Sequence, residues 1–433
     1  MRDSHRLVRG SGGDGGARHT SHLRGLNIDR VLNIAIERPG TFTRAELIQA
    51  TGLSAPTVGS LTTHLIRRGV ITDLGTAPSS GGRRPALMEF NARHGYIAGI
   101  DLGPRRTRVA LADLRGQPLA REIITTPSSV APNALVAQIA AAVRALMAEA
   151  EIPPDRLFAA VAGVPGSVDL DRGVVLSAPN LPGWKEIPMR AMLQQELHTA
   201  ALIENDVNLA LLGEHWQGAA RGHDTCAFIF VGTGIGSAIL IDGLLHHGHH
   251  YTAGEIGLMC MAPEHVGRDF GSRGCLEVLA GLDALRERWP MAEQQDPARW
   301  FEALLEHEEA GDSEARRAID QTVELIGMAA ANLGSIVDPS LIVLGGSMFA
   351  SSQRLVEAVR EVVRRIIPAP FEIVLSGLGT EAPLAGCLLV GSMEARRHLR
   401  QTLRGAVGTR RLQERPAAPA ETVKAQFRAP AGS

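Results

Sequence analysis

Between Asp101 and Val109 the chain reads Asp-Leu-Gly-Pro-Arg-Arg-Thr-Arg-Val, a turn whose residue types bear directly on phosphate chemistry. A turn that cradles transferable phosphate needs small residues and a hydroxyl, because backbone N–H groups must approach the phosphate closely. Here Pro104 removes one donor and fixes φ, while Arg105 and Arg106 crowd the approach. Either arginine can still hold a phosphate as a fixed charge. A second stretch, Gly232-Thr-Gly-Ile-Gly236, joins two apolar runs. Glycines there suit close approach to phosphate, and they equally suit a tight hairpin. His246-His-Gly-His-His250 has the residue types of a metal tract or of a histidine-rich surface loop. Cys226, Cys260, Cys275 and Cys387 lack paired spacing and read as reduced, mostly buried thiols.

These stretches need a scaffold, and 433 residues are too many for one core. A hydrophobic fraction of 45% with 4% aromatics fits a soluble α/β protein. The net charge of −2 is unevenly spread: residues 1–92 hold 12 Lys+Arg and 7 Asp+Glu, about +5, leaving about −7 for the remainder. This asymmetry points to a nucleic-acid-facing N-terminus. The polar opening, Met1 to His22, has no apolar leader core, and the run Cys226 to Leu245 is broken by Gly232, Gly234, Gly236 and Asp242. A cytoplasmic protein without membrane contact is expected.

Residues 1–22 are Gly-, Ser-, Arg- and His-rich without periodicity, and read as a disordered arm. Ile28, Val31, Leu32, Ala35 and Ile36 then fall at helical spacing, stopped by Pro39-Gly40. Thr43-Arg-Ala-Glu46 is a capping box, with Phe42 and Leu47 placed as its hydrophobic staple. That helix ends at Thr51-Gly52, and Ser54 can cap a third helix with Val58, Leu61 and Leu65 inside. Two short capped helices around a three-residue turn make a helix-turn-helix. Two strand-like runs, from Val70 and from Ala86, flank a tip containing Arg83 and Arg84, a β-wing suited to phosphates or a narrow minor groove. Residues 23–92 are therefore expected to bind double-stranded operator DNA. Ser54, Ala55, Thr57, Ser60 and Thr63 face the major groove and Arg83 and Arg84 the backbone.

Beyond Tyr96 the order is strands, then a helix near Asn133–Glu149, then a buried run; from Thr225 the same order repeats. The repetition predicts two actin-like lobes around a cleft. The fold class expected is thus α/β: an actin-like (ribonuclease H-like) two-lobed sugar-kinase fold preceded by a winged helix-turn-helix domain. The motifs Gly163-Val-Pro-Gly166, Ala178-Pro-Asn-Leu-Pro-Gly-Trp184, Glu204-Asn-Asp-Val-Asn208, Gly232–Gly236, Gly254-Glu-Ile-Gly257, Gly274-Cys-Leu-Glu277 and Ile342-Val-Leu-Gly-Gly346 carry a specific likeness. From about Leu26 to Arg400 the chain resembles the ROK family of repressors, uncharacterised reading frames and sugar kinases, in its repressor branch.

The resemblance implies lobes at 93–206 and 207–382, the first closed by a helix at 383–400, and a disordered tail over 401–433. It implies a sugar pocket of Asn180, Asn205, Asp206, Glu255 and Glu277, since hydroxyls are read by carboxylates and amides. Asp206 corresponds to the base that takes the sugar proton before attack on phosphate. Asp101, Gly103, Gly232, Thr233, Gly234, Gly345 and Gly346 correspond to nucleotide loops, so ATP and Mg²⁺ belong only to an alternative in which the protein is a hexose kinase with an attached DNA-binding module. The family's zinc ligands fall on Leu258, Arg268, Phe270 and Cys275, and one thiolate cannot hold a tetrahedral site, so no zinc is expected. The tract 246–250 occupies the loop that covers the sugar in relatives. A carbohydrate-responsive regulator follows, with a small carbohydrate effector, kinase activity lost, and a homodimer or dimer of dimers as the assembly.

Overall fold

The computed structural model describes residues 14–76, 85–127, 129–271, 273–296, 299–350, 352–368 and 371–405. It divides into two compact units. One holds the chain up to Tyr96, Asp113–Gln117 and the chain from Ser392; the other holds Ile97–Ala112 and Pro118–Gly391.

The first unit opens with α1 (Asp14–Glu37), which starts within the arm that composition marked as disordered. Strand β1 (Thr41–Thr43) leads into α2 (Arg44–Thr51), whose N-terminus is the expected capping box: Thr43 Oγ1 accepts from Glu46 N, and Thr43 N donates to Glu46 Oε2. Gly52, at φ 68°, ends it. Ser54 caps α3 (Ala55–Arg67), and Val58, Leu61 and Leu65 are buried with Phe42, Leu47 and the inner face of α1. Strands β2 (Ile71–Thr76) and β3 (Ala86–Phe90) pair antiparallel, and β1 adds to β3 to give the order β1-β3-β2. The wing is thus present, while its tip, with Arg83 and Arg84, lies outside the described residues.

In the second unit β4 (Tyr96–Leu102), β5 (Arg106–Asp113) and β6 (Pro118–Thr125) precede α4 (Pro132–Glu149) and β7 (Leu157–Val164). A small sheet of β8 (Ser167–Asp169), β9 (Val174–Ser177) and β10 (Lys185–Ile187) follows, then α5 (Met189–Leu197) and β11 (Ala200–Asn205). Helix α6 (Asp206–Gln217) crosses to β12 (Cys226–Val231), β13 (Ile235–Ile241) and β14 (Leu244–Leu245). Helices α7 (Cys275–Ala280), α8 (Leu282–Arg288), α9 (Trp300–Glu309) and α10 (Ser313–Val337) come next. Then come β15 (Leu341–Gly345), α11 (Gln353–Ile366), β16 (Glu372–Leu375) and α12 (Ala382–Gly405).

The two large sheets share one plan. The first runs β11-β7-β4-β5-β6 and the second β14-β13-β12-β15-β16, so each places its first strand centrally, two meander strands to one side and two crossover strands to the other. The crossover pairs β7/β11, β12/β15 and β15/β16 are parallel. This is the twofold repeat anticipated from the order of elements. The run from Cys226 is a buried antiparallel pair, as its glycines suggested.

Helix α6 packs on strands of both sheets and meets α12 at two glycines. A Cβ on Gly386 would lie 2.0 Å from Leu209 O, and one on Gly213 would lie 2.3 Å from Ala382 O. The second half of α12 belongs to the first unit: Arg404 pairs with Asp29 and Arg400 donates to Asn33 Oδ1, both on α1. Arg396 Nε donates to Leu114 O. The helix expected over 383–400 runs from Ala382 to Gly405, and from Ser392 onward it groups with the first unit, where Arg404 meets Asp29. No helix among the described residues is long and apolar enough to cross a membrane.

Inserting a methyl group where backbones touch forces them apart, at about 1–3 kcal/mol or more. Gly386→Ala should lower the urea midpoint by an amount equivalent to at least about 2 kcal/mol. An unchanged midpoint would mean that the helices do not cross this closely.

Candidate functional site

Asp206 stands at the first turn of α6, directly after β11. The side chain of Asn205 caps that helix, its Oδ1 accepting from Val207 N (2.9 Å) and Asn208 N (3.0 Å) and its Nδ2 donating to Gly166 O (3.0 Å). Asn205 thus spends its amide on holding Asp206 in place. Asp206 Oδ1 accepts from Val207 N (2.9 Å), and a helix N-terminus favours an anion. Burial outweighs that help: desolvation first, then the Asp101 carboxylate and, more weakly, Glu255, push Asp206 up to about 8. At neutral pH most of the population carries the proton, so Asp206 can donate to a ligand oxygen.

Two carboxylates, Asp101 and Glu255, act on it, and a third, Glu277, acts on Glu255. Asp101, at the end of β4, is buried and raised, by desolvation first. Glu255 is raised by burial and then by Glu277. Glu277, on α7, is raised by burial, opposed by the hydrogen bond its Oε2 accepts from Ile235 N (3.0 Å). Gly234 lies between two further groups: a Cβ there would sit 3.3 Å from Glu277 Oε2 and 3.7 Å from Asn180 Nδ2. Asn180 is exposed on a turn fixed by hydrogen bonds among Ala178, Leu181 and Trp184. The fold thus links Asp101, Asp206, Glu255, Glu277 and Asn180 in one polar neighbourhood. Protonatable acids beside an amide can donate to and accept from adjacent hydroxyls.

The phosphate side is different. Arg108 Nη1 donates to Asp101 Oδ2 at 2.8 Å, and its Nε lies 3.8 Å from Glu381, which also takes Arg121. The Asp101 carboxylate is already neutralised from within the chain. Pro104, Arg105 and Arg106 are exposed on the turn, closed by Gly103 N donating to Arg106 O. Thr233 is exposed between Gly232 and Gly234. Gly345 and Gly346 abut β12, where a Cβ would meet the Phe228 ring at 2.3 Å and Val231 O at 2.4 Å. Packing alone accounts for those two glycines.

Sequence reading missed Arg108, whose partner depends on strand register. It also missed His247, which leaves the polar tract and packs inward with Nε2 2.8 Å from Glu204 Oε2. At the positions of the family's zinc ligands, Leu258 is exposed, Cys275 is buried, and the Arg268 guanidinium lies 5.3 Å over the Phe270 ring with His265 at its edge. One sulfur donor in four positions does not fit a zinc ion.

In the first unit Ser54, Ala55, Ser60 and Thr63 are exposed on α3, with Thr57 half-buried. Ser54 Oγ and Thr57 Oγ1 bond each other (2.9 Å), and Thr63 Oγ1 donates to Gly59 O (2.8 Å). Burial, then Arg24, Arg68 and Arg67, hold the His64 imidazole below its ordinary value. Ser60 therefore offers an exposed hydroxyl uncommitted by any hydrogen bond found among the described residues.

A carboxyl raised on folding contributes stability that is full below its unfolded pKa, near 4, and is lost as pH climbs to the folded value of about 8. Asp206→Asn removes this dependence. The variant should gain on the parent steadily from pH 5 to 8 and level off above. Urea midpoints differing by the same amount at pH 5 and pH 8.5 would contradict the burial of this acid.

Comparison with known proteins agrees with the architecture. The ROK family model matches residues 97–391. The xylose repressor of Caldicellulosiruptor bescii is 29% identical over 80% of this chain and 90% of its own. The ROK hexokinase of Thermus thermophilus is 30% identical with a TM-score of 0.60, over 70% of this chain and 99% of its own. A ROK family transcriptional regulator homologous to the E. coli MLC protein has the same fold over 88% of this chain and 99% of its own, with a TM-score of 0.71 at 21% identity. With the family pattern spanning well over half its length, the chain belongs to the ROK family.

Proposed function

We propose that this ROK protein is a cytoplasmic DNA-binding transcriptional repressor of carbohydrate-metabolism genes, whose body senses a small sugar and no longer transfers phosphate. The observation that carries this reading is a helix-turn-helix unit fused to a body whose Asp101 is neutralised by Arg108, beside a turn of Pro104, Arg105 and Arg106. The repressor relative supports it, since its likeness extends over more of this chain than the hexokinase's does. Xylose, named by that relative, is the first effector to test.

In this mechanism α3 enters the major groove, with Ser60 and Ala55 near base edges and the wing on the backbone. Two copies, or a dimer of dimers, hold an operator. The sugar's hydroxyls meet Asp206, Glu255, Glu277 and Asn180, and the ligand acts only through preference for one conformation. Moving a population from 99:1 to 1:99 takes about 5.5 kcal/mol of such preference. Zinc has no part in this reading, because Cys275 is the one ligand type among Leu258, Arg268, Phe270 and Cys275, too few for a tetrahedral site.

Anisotropy with labelled double-stranded DNA from upstream of the chain's own gene tests the proposal, with D-xylose and D-glucose titrated in. Specific binding should weaken at least about tenfold with sugar, and fall steeply between about 50 and 200 mM salt. Ser60→Glu should abolish DNA binding and leave sugar affinity unchanged. Absence of specific DNA binding would end the reading. So would ATP-dependent hexose phosphorylation at about 1–100 turnovers per second, the ordinary kinase range.

A further inference from the structure

The loop over residues 246–253 joins β14 to Glu255 and is pinned at both feet. His246 N donates to Ile239 O (2.8 Å), and Gly254 O accepts from both the N and the Oγ of Ser237 (2.8 Å each). Ala253 N closes the loop on His247 O (3.2 Å). Between these feet two side chains reach toward elements associated with the first large sheet.

His247 is the first. Its partner Glu204 ends β11 and is itself buried. Glu204 Oε1 accepts from Asn205 N (2.8 Å) and from Asn208 Nδ2 (2.9 Å), while Oε2 faces His247 Nε2 (2.8 Å). One carboxylate therefore grips the residues on either side of Asp206, and the loop grips that carboxylate. Tyr251 is the second. Its hydroxyl donates to Asp171 Oδ2 in the turn between β8 and β9, and its ring lies edge-on to His247 at 6.1 Å. Its backbone is left-handed, at φ 57°. Of the six non-glycine residues with positive φ among those described, Tyr251 has the largest side chain. A bulky residue in that region persists only where its surroundings over-determine it. A glycine would fill the turn without strain, so the ring and hydroxyl must contribute something a turn alone does not need.

We propose that His247 and Tyr251 are positioning residues for the sugar effector: through Glu204 and Asp171 they hold loop 246–253, and with it both the residues flanking Asp206 and the segment leading into Glu255. This rests on the reading of the body as a carbohydrate sensor. His247 acts through Glu204, and Tyr251 acts through the loop. The chemistry they serve is the matching of hydroxyl pairs, where a small displacement costs a hydrogen bond.

Calorimetric titration of the full chain with D-xylose and D-glucose, alongside thermal midpoints, tests the latch. Tyr251→Phe keeps the ring and loses the hydroxyl; Tyr251→Gly loses both and relieves the backbone. Each should weaken sugar binding about tenfold, the ordinary effect of one lost hydrogen bond to a charged partner, and Tyr251→Gly should leave the midpoint no lower than the parent's. His247→Ala should weaken binding at least about tenfold, and His247→Gln, which keeps an N–H donor, should recover most of that loss. Tyr251→Gly binding sugar like the parent would overturn the latch, as would His247→Gln binding no better than His247→Ala. If the parent binds neither sugar, the carbohydrate reading itself fails and the latch falls with it. If parent and variants bind alike, only the latch falls.

Discussion

The contact on which the second unit depends is backbone against backbone, where α6 crosses α12 at Gly213 and Gly386. Side chains at such a crossing can adjust rotamers; bare peptide units cannot. Helix α6 also packs on strands of both large sheets and begins at Asp206. The position of the principal acid is therefore set at its helix's other side by an incompressible contact.

Around that rigid element the chain gathers carboxylates that burial would rather keep neutral. Asp101, Asp206, Glu255 and Glu277 are all raised, each by desolvation first. Among the described residues, Asp101 is the one of the four with a guanidinium in direct contact. A structural core would have replaced such acids with apolar residues. Their retention is economical only where a polar ligand completes their hydrogen bonds, and a polyhydroxylated ring does so without bringing charge. At Asp101 the Arg108 guanidinium opposes the effect of burial without overcoming it.

Much of this was legible in the residues. The capping box at Thr43 and Glu46, the cap at Ser54 and the repeated strands-then-helix order are local signals, and local signals survive folding. Motif likeness singled out Asp101, Asp206, Glu255 and Glu277, and the fold gives each a raised carboxyl. What escaped was side-chain pairing that residue types alone do not specify. Nothing in the stretch says that Arg108, rather than Arg105 or Arg106, turns to Asp101 across the neighbouring strands β4 and β5. His247 looked like one of four similar histidines because nothing local says which turns inward. Asn205, read as a ligand group, also caps α6 through its Oδ1, a second task that the motif did not reveal. The early start of α1 at Asp14 reflects propagation: once Ile28, Val31 and Leu32 anchor a helix, each added residue extends it at little cost. Composition carries no trace of that.

The unit that carries α3 is not contiguous in the chain. Asp29 meets Arg404 and Asn33 meets Arg400, across nearly the whole sequence. During synthesis α1 emerges long before α12, so these pairs can form only after the intervening chain has been made. The helix that backs α3 is thus braced by a segment 367 positions further along, and the first unit cannot be completed from its own N-terminal residues alone.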